Sequence, residues 1–202
     1  MGITAKQFEQ IQQRLAGKAR PAKANANAHL AAAVTPHETI LGIDPSLRGT
    51  GYGVIRVAKP HPIAVTHGTI SIPASWEHSR CLAKIFETLR DVIAEQKPTV
   101  CVLEGLFYAQ NLQTALIMGE ARGASMVAAA QAGLEVFEIS PRKMKLAIVG
   151  YGAAQKSAVA KMVQRLLHLT EEPAADAADA LALAIAFAQE VNRFSIRPPK
   201  RV

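Results

Sequence analysis

The chain has 202 residues, half of them hydrophobic though 37 are Ala, and 23 Lys and Arg outnumber 16 Asp and Glu to give a formal charge of +7. That is enough for one domain of ordinary size with a packed core and room for tails, and ordinary composition with clear periodicity excludes collagen, coiled coil and wholesale disorder. No apolar run approaches the roughly 18 residues of a transmembrane helix, Cys81 and Cys101 alone make no disulfide framework, and no secretory signal opens the chain, so a reducing, cytoplasmic setting is expected.

In chain order, residues 4–16 have the spacing of a short amphipathic helix with Phe8, Ile11 and Leu15 on one face, marginal on its own. The Ala-, Lys- and Asn-rich stretch that follows reads as a linker, with a targeting peptide as the alternative, so 1–37 is expected to be a flexible basic extension. A folded domain is expected over 38–192. ETILGID, GYGVIRV and PIAVTHGTI read as strands separated by Gly and Pro. Residues 76–96 have helical spacing, and Pro98 precedes the fully apolar TVCVLE, the mark of a strand covered on both faces. Asn111 caps a helix through Ala132, LEVFEI is a fifth strand, and helices fill 141–149, 155–169 and 174–190. Three strands followed by alternating helix and strand predict an α/β fold, a five-stranded mixed sheet with helices on both faces. Residues 193–202 are a basic C-terminal tail.

Charge is unevenly placed. Residues 1–37 and 193–202 each carry a net +4, while 38–192 hold 14 basic and 15 acidic residues. The two ends are solubilising tails or arms that hold phosphates by counterion release. Between Glu138 and Glu171 there is no acid, and Arg142, Lys143, Lys145, Lys156, Lys161 and Arg165 fall there. A solvated helix face usually mixes signs, so this stretch suggests an anionic partner.

Four acids stand where a core has little use for them. Asp44 ends the first strand, Glu104 ends the fourth, and Asp176 and Asp179 open the apolar helix DAADALALAIAFA. Spacing i,i+3 puts the two aspartates on one helix face, which must pack on the sheet. Each acid has a simpler reading. Asp44 precedes Pro45 as a turn former would, Asp176 suits a helix N-terminus, and Glu104 leaves the sheet before Gly105. Together they are harder to dismiss. Two unit charges near 4 Å repel by about 4 kcal/mol at an effective dielectric of 20, so a bare cluster of four costs on the order of 10–20 kcal/mol, comparable with a domain's whole stability. Such a pocket needs divalent cations or raised pKa values. Hard oxygen ligands select Mg²⁺ or Mn²⁺, and two such ions can clamp the attacking and leaving oxygens of a phosphodiester.

GIDPSLRGTGYGVI (42–55), LEGLFYAQN (103–111), GEARGASMVAA (119–129), VGYGAAQKSAV (149–159) and DAADALALAIA (176–186) occur in an order and spacing that resemble the bacterial RuvC Holliday-junction resolvases of the RNase H-like superfamily. The resemblance covers about 39–190. It implies an RNase H-like fold with Asp44, Glu104, Asp176 and Asp179 as catalytic metal ligands, two Mg²⁺ per subunit and Mn²⁺ as a substitute. It also implies that Phe107 stacks on bases at the junction centre, a role Tyr108 shares or takes, and that Lys145 and Lys156 meet the DNA backbone near the cut. Lys143 and Arg122 join the expected DNA contacts, although Arg122 could equally be a buried ion-pair partner, Lys145 could merely flank a helix, and Phe107 could be a core aromatic. The helix 111–132, with Gly119, Gly123 and Ala124, resembles the family's dimer interface. Ser46-Leu47 and Gly105 depart from common family residues and put loop geometry and sequence preference in question.

The implied activity is symmetric nicking of four-way junctions by a homodimer, leaving 5′-phosphate ends, in homologous recombination and DNA repair. The RuvA–RuvB branch-migration complex is a partner implied by the family, and no membrane is involved. Rival readings are a non-catalytic junction-binding protein, another RNase H-like nuclease acting on RNA–DNA hybrids, or a sugar-kinase or actin-like ATPase, for whose two domains the chain is too short.

Overall fold

The computed structural model describes residues 37–105, 111–191 and 199–202. The chain divides into Met1–Thr35 and Pro36–Val202, and every described residue belongs to the second unit. The expected N-terminal helix and linker, as well as Phe107 and Tyr108, lie outside the described residues.

Six strands are described: β1 (Thr39–Asp44), β2 (Gly49–Arg56), β3 (Ile63–Ser71), β4 (Val100–Glu104), β5 (Glu135–Ile139) and β6 (Lys200–Arg201). The sheet order is β3-β2-β1-β4-β5-β6. β1, β4 and β5 run parallel, while β2, β3 and β6 are antiparallel to their neighbours. Five helices accompany them: α1 (His78–Gln96), α2 (Leu112–Gln131), α3 (Pro141–Val149), α4 (Lys156–Leu166) and α5 (Ala175–Val191). The mixed α/β sheet with helices on both faces is as expected. The difference is β6, which lies in the expected tail. It pairs with β5 through Lys200 and Arg201, Val202 N–H donates to the Val136 carbonyl at 3.0 Å, and Arg201 meets Glu135 at 2.7 Å. Two residues next to Pro198-Pro199 carry no strand periodicity, so only the unpaired edge of β5 selects this pairing. No described helix is long and apolar enough to cross a membrane.

Strand alternation sorts the core. Leu41, Ile43, Cys101, Leu103 and Val136 face α1 and α2. Ile40, Val100, Val102 and Ile139 face α3, α4 and α5. With a period of two, Asp44 and Glu104 belong to the second face, and the parallel register Ile43↔Leu103 sets them side by side at adjacent strand ends.

Helix α5 covers that face through main-chain contact. A Cβ on Gly42 would lie 2.0 Å from the Ala180 carbonyl oxygen, and one on Gly51 would lie 2.0 Å from that of Asp176. From Ala177 to Ala188 α5 is buried, and its alternating Ala residues let the sheet and the α3–α4 pair close on it from both sides. The approach carries Asp176 and Asp179 to the strand ends. Gly42→Ala is therefore expected to destabilise the domain by about 3 kcal/mol, the upper range of overpacking effects, read as a lower urea midpoint with unchanged slope.

Candidate active site

The helix ends that frame the site are locally well made. Asn111 caps α2, accepting from Gln113 N–H at 2.9 Å. Ser140 caps α3, where Pro141 occupies the first turn and Gly150 ends the helix at φ 81°, a conformation glycine adopts without strain. These ends bring α2, α3 and α4 around an open pocket of about 680 Å³. It is lined by Asp44, Glu104, Asp176 and Asp179, by Pro45 to Arg48 of the β1–β2 turn, by Thr114, Ile117 and Met118 of α2, and by Lys145 and Lys156. The four acids that the sequence analysis singled out converge here from three distant segments.

Their protonation reflects the crowding. Burial pushes the Asp44 carboxyl up from 3.8 to about 8, helped by the charge of Glu104, a hydrogen bond to it, and the charge of Asp179. Burial also raises Glu104, assisted by Asp179, while the Asp44 hydrogen bond, Lys156 and Lys145 work in the opposite direction. Both shifts favour the neutral form of the pair, most strongly at Asp44. Lys156 supplies a neutralising charge, its Nζ lying 3.0 Å from Asp179 and 3.8 Å from Asp176. Partial burial works against its ammonium, but the hydrogen bond to Asp179 and the charges of Asp179, Asp44 and Asp176 outweigh it, so its pKa rises.

The remaining expected contacts divide. Lys145 lines the pocket. Lys143 is outside the pocket lining and pairs with Glu190 of α5. Arg122 is also outside the pocket lining. It is only 7% exposed, and its guanidinium donates to the Glu104 carbonyl at 2.5 Å and to Glu138 Oε2 at 2.8 Å. These are the contacts of the buried ion-pair alternative.

Arg48 was not singled out by sequence. It lines the pocket and ties the β1–β2 turn to the loop before α1, donating to the carbonyls of Pro73 and, at 3.0 Å, Trp76. Being the one cation in GIDPSLRGTGYGVI was the available signal. The Ser46-Leu47 departure is absorbed locally. The turn closes through the Ser46 backbone, whose N–H donates to Thr50 Oγ1 at 3.1 Å while that hydroxyl donates to the Ser46 carbonyl at 2.5 Å. Leu47 is buried with the α1–α2 core.

Comparison with known proteins places this architecture. A profile described as "Crossover junction endodeoxyribonuclease RuvC" matches residues 40–187. Relatives of that description are 47% identical over 146 residues in Akkermansia muciniphila, covering 72% of this chain and 87% of the relative, and 44% identical over 157 residues in Geobacter metallireducens, covering 78% and 96%. Among solved structures, Thermus thermophilus RuvC in complex with a Holliday junction substrate superposes with a TM-score of 0.75 at 28% identity, over 82% of this chain and all of that one. The yeast mitochondrial resolvase Ydc2 shares the fold, with a TM-score of 0.55 at 12% identity over 81% of this chain and 84% of that one. The family match runs from β1 into α5, and the relatives and the solved Thermus protein agree with it: this chain belongs to the RuvC family of crossover junction endodeoxyribonucleases.

Proposed function

We propose that this chain is a structure-selective endonuclease that resolves four-way DNA junctions by paired symmetric nicks, in recombination and repair. The observation that carries the reading is the meeting of Asp44, Glu104, Asp176 and Asp179 in one open pocket beside Lys145 and Lys156. The substrate is taken from the relatives' description and from the junction bound to the Thermus protein.

The donor set fits a hard divalent cation, since the four acids offer carboxylate oxygens and the lining holds no His or Cys. As the side chains stand, no three His, Cys, Asp or Glu among the described residues are placed to hold one ion. The Lys156 ammonium supplies countercharge there instead, and it must yield when a cation binds. Two Mg²⁺ per subunit, or Mn²⁺ in their place, held by the four acids would supply the charge that activates a water and stabilises the leaving 3′ oxygen.

The chain's own residues do the rest. Asp44 and Glu104 orient the reaction from the strand ends, and Asp176 and Asp179 face them from α5. Lys145 and Lys156 hold the phosphates flanking the cut, and Lys143 extends the basic surface outward. Phe107, with Tyr108 beside it in sequence, stacks on bases at the crossover. The products carry 5′-phosphate and 3′-hydroxyl ends.

A homodimer gives the symmetry. Leu112, Leu116 and Val127 are exposed along one stripe of α2, and Gly119 and Gly123 on the same stripe have open space above them. Pairing of this stripe with its copy places two pockets about a two-fold axis, matching the two like strands of a junction. The RuvA–RuvB branch-migration complex is the proposed motor partner, and the cytoplasm the proposed location.

The test is a substrate panel with end-labelled four-way junction, linear duplex and RNA–DNA hybrid in Mg²⁺. Paired nicks at symmetric positions in the junction are expected, with little cutting of the other two. Equal or faster cleavage of the hybrid refutes the junction reading, and binding without any cutting refutes the nuclease reading.

A further inference from the structure

A buried guanidinium holds the end of β4 from behind the acid pocket. Arg122 projects from the middle of α2, and its guanidinium donates to the backbone carbonyl of Glu104 and to the carboxylate of Glu138. Glu138 sits on β5 opposite Leu103, on the face that looks toward α2. Its side chain lies against Gly105, where a Cβ would come within 3.0 Å of Glu138 Cγ and Oε1. The Gly105 N–H donates to the Ile139 carbonyl at 2.8 Å. Both polar groups of the Glu104–Gly105 peptide are therefore pinned, its N–H by the β5 backbone and its carbonyl by Arg122.

An ion pair this buried is weak as a stabilising device, because apolar side chains of similar volume often serve as well. Its specific ability is directional. The planar guanidinium fixes two acceptors in one plane, which a lysine ammonium cannot copy. Holding the Glu104 carbonyl sets the rotation of the last β4 residue, and with it the direction in which the Glu104 side chain leaves the strand toward Asp44. A catalytic constellation tolerates about 0.5 Å of error, so this rotation matters more than the pair's contribution to stability.

We infer that Arg122, braced by Glu138, is a positioning residue for the Glu104 carboxylate. It also connects α2, the helix bearing the exposed apolar stripe, to the strand that ends in the site. The inference rests on the reading of Glu104 as a metal ligand.

The experiment measures single-turnover junction cleavage across a Mg²⁺ titration, junction affinity in EDTA, and Tm, for wild type, Arg122→Lys, Glu138→Gln and Glu104→Gln. Arg122→Lys is expected to cleave about 10–100-fold more slowly, the scale of losing a group that orients a metal ligand. It should need more Mg²⁺ for half-maximal rate and bind the junction as wild type does. Glu138→Gln should show the same pattern more weakly, and it carries the test if Arg122→Lys fails to fold. Weakened junction binding at an unchanged Mg²⁺ requirement overturns the inference, because Arg122 is then a DNA contact. Wild-type cleavage per folded molecule at a wild-type Mg²⁺ requirement also overturns it, because the pair then serves the fold alone. Wild-type cleavage by Glu104→Gln instead sinks the underlying site reading, which separates the two failures.

Discussion

Asp44→Asn is expected to bind a four-way junction as wild type does and to nick it about 10³-fold more slowly, or worse. The substitution keeps the shape and can still donate a hydrogen bond to Glu104, so the strand end should hold. It removes one anionic ligand from the four-acid set, and metal stabilisation of transition-state charge is worth several kcal/mol, each 1.36 kcal/mol being tenfold in rate. Junction affinity should survive because it comes from phosphate contacts with the basic surface. Gel shift in EDTA and single-turnover cleavage in Mg²⁺ read the two quantities separately. A variant that cuts at the wild-type rate removes Asp44 from the chemistry, whatever its place in the pocket.

The same substitution is expected to stabilise the metal-free protein, increasingly so as pH rises. Asp44 titrates near 3.8 in the unfolded chain and at about 8 in the folded one. Between those values the folded state binds more protons, so stability falls with pH. Below about pH 4 both states are protonated and the effect is absent. Above about pH 8 both are ionised and the cost is complete. The gap sets an upper bound on the order of 5 kcal/mol, part of which belongs to Glu104, because the two acids titrate together. For a domain of this size Asp44→Asn should melt about 5–10 °C above wild type at pH 8 without metal, and the two should melt together near pH 4. Saturating Mg²⁺ should reverse the order, because only the intact acid set gains fully from the cation. A fall of several degrees on substitution at pH 8 in EDTA would mean that Asp44 has a structural partner instead.

Much of the fold was legible because its helices are amphipathic or capped and its central strands are short apolar runs bounded by Gly and Pro. In α1 the buried residues Cys81, Ile85, Leu89 and Ile93 repeat every four positions, a period visible without any neighbour. The meeting of the acids was legible for a similar reason, since a carboxylate closing an apolar strand and two on the inner face of an apolar helix have few places to go. Arg122 was not decidable, because an arginine within a helix carries the same sequence signal whether it meets a phosphate or a carbonyl. Its role depends on Glu138 and Glu104, 16 and 18 residues away, and on space left beside Gly105. β6 was hidden for a related reason: it exists to satisfy an edge, and an edge is a property of the assembled sheet.

The contact of Gly42 and Gly51 with α5 has a consequence for how this protein can vary. Two of its four acids ride on strands and two on a helix, and the joint between them is carbonyl against Cα. At those two points no side chain stands between strand and helix to be lengthened or trimmed, so drift elsewhere in the interior has little purchase on the bite of the carboxylates. Substrate preference can diversify in the surrounding loops while the span across the cutting centre stays calibrated by the polypeptide itself.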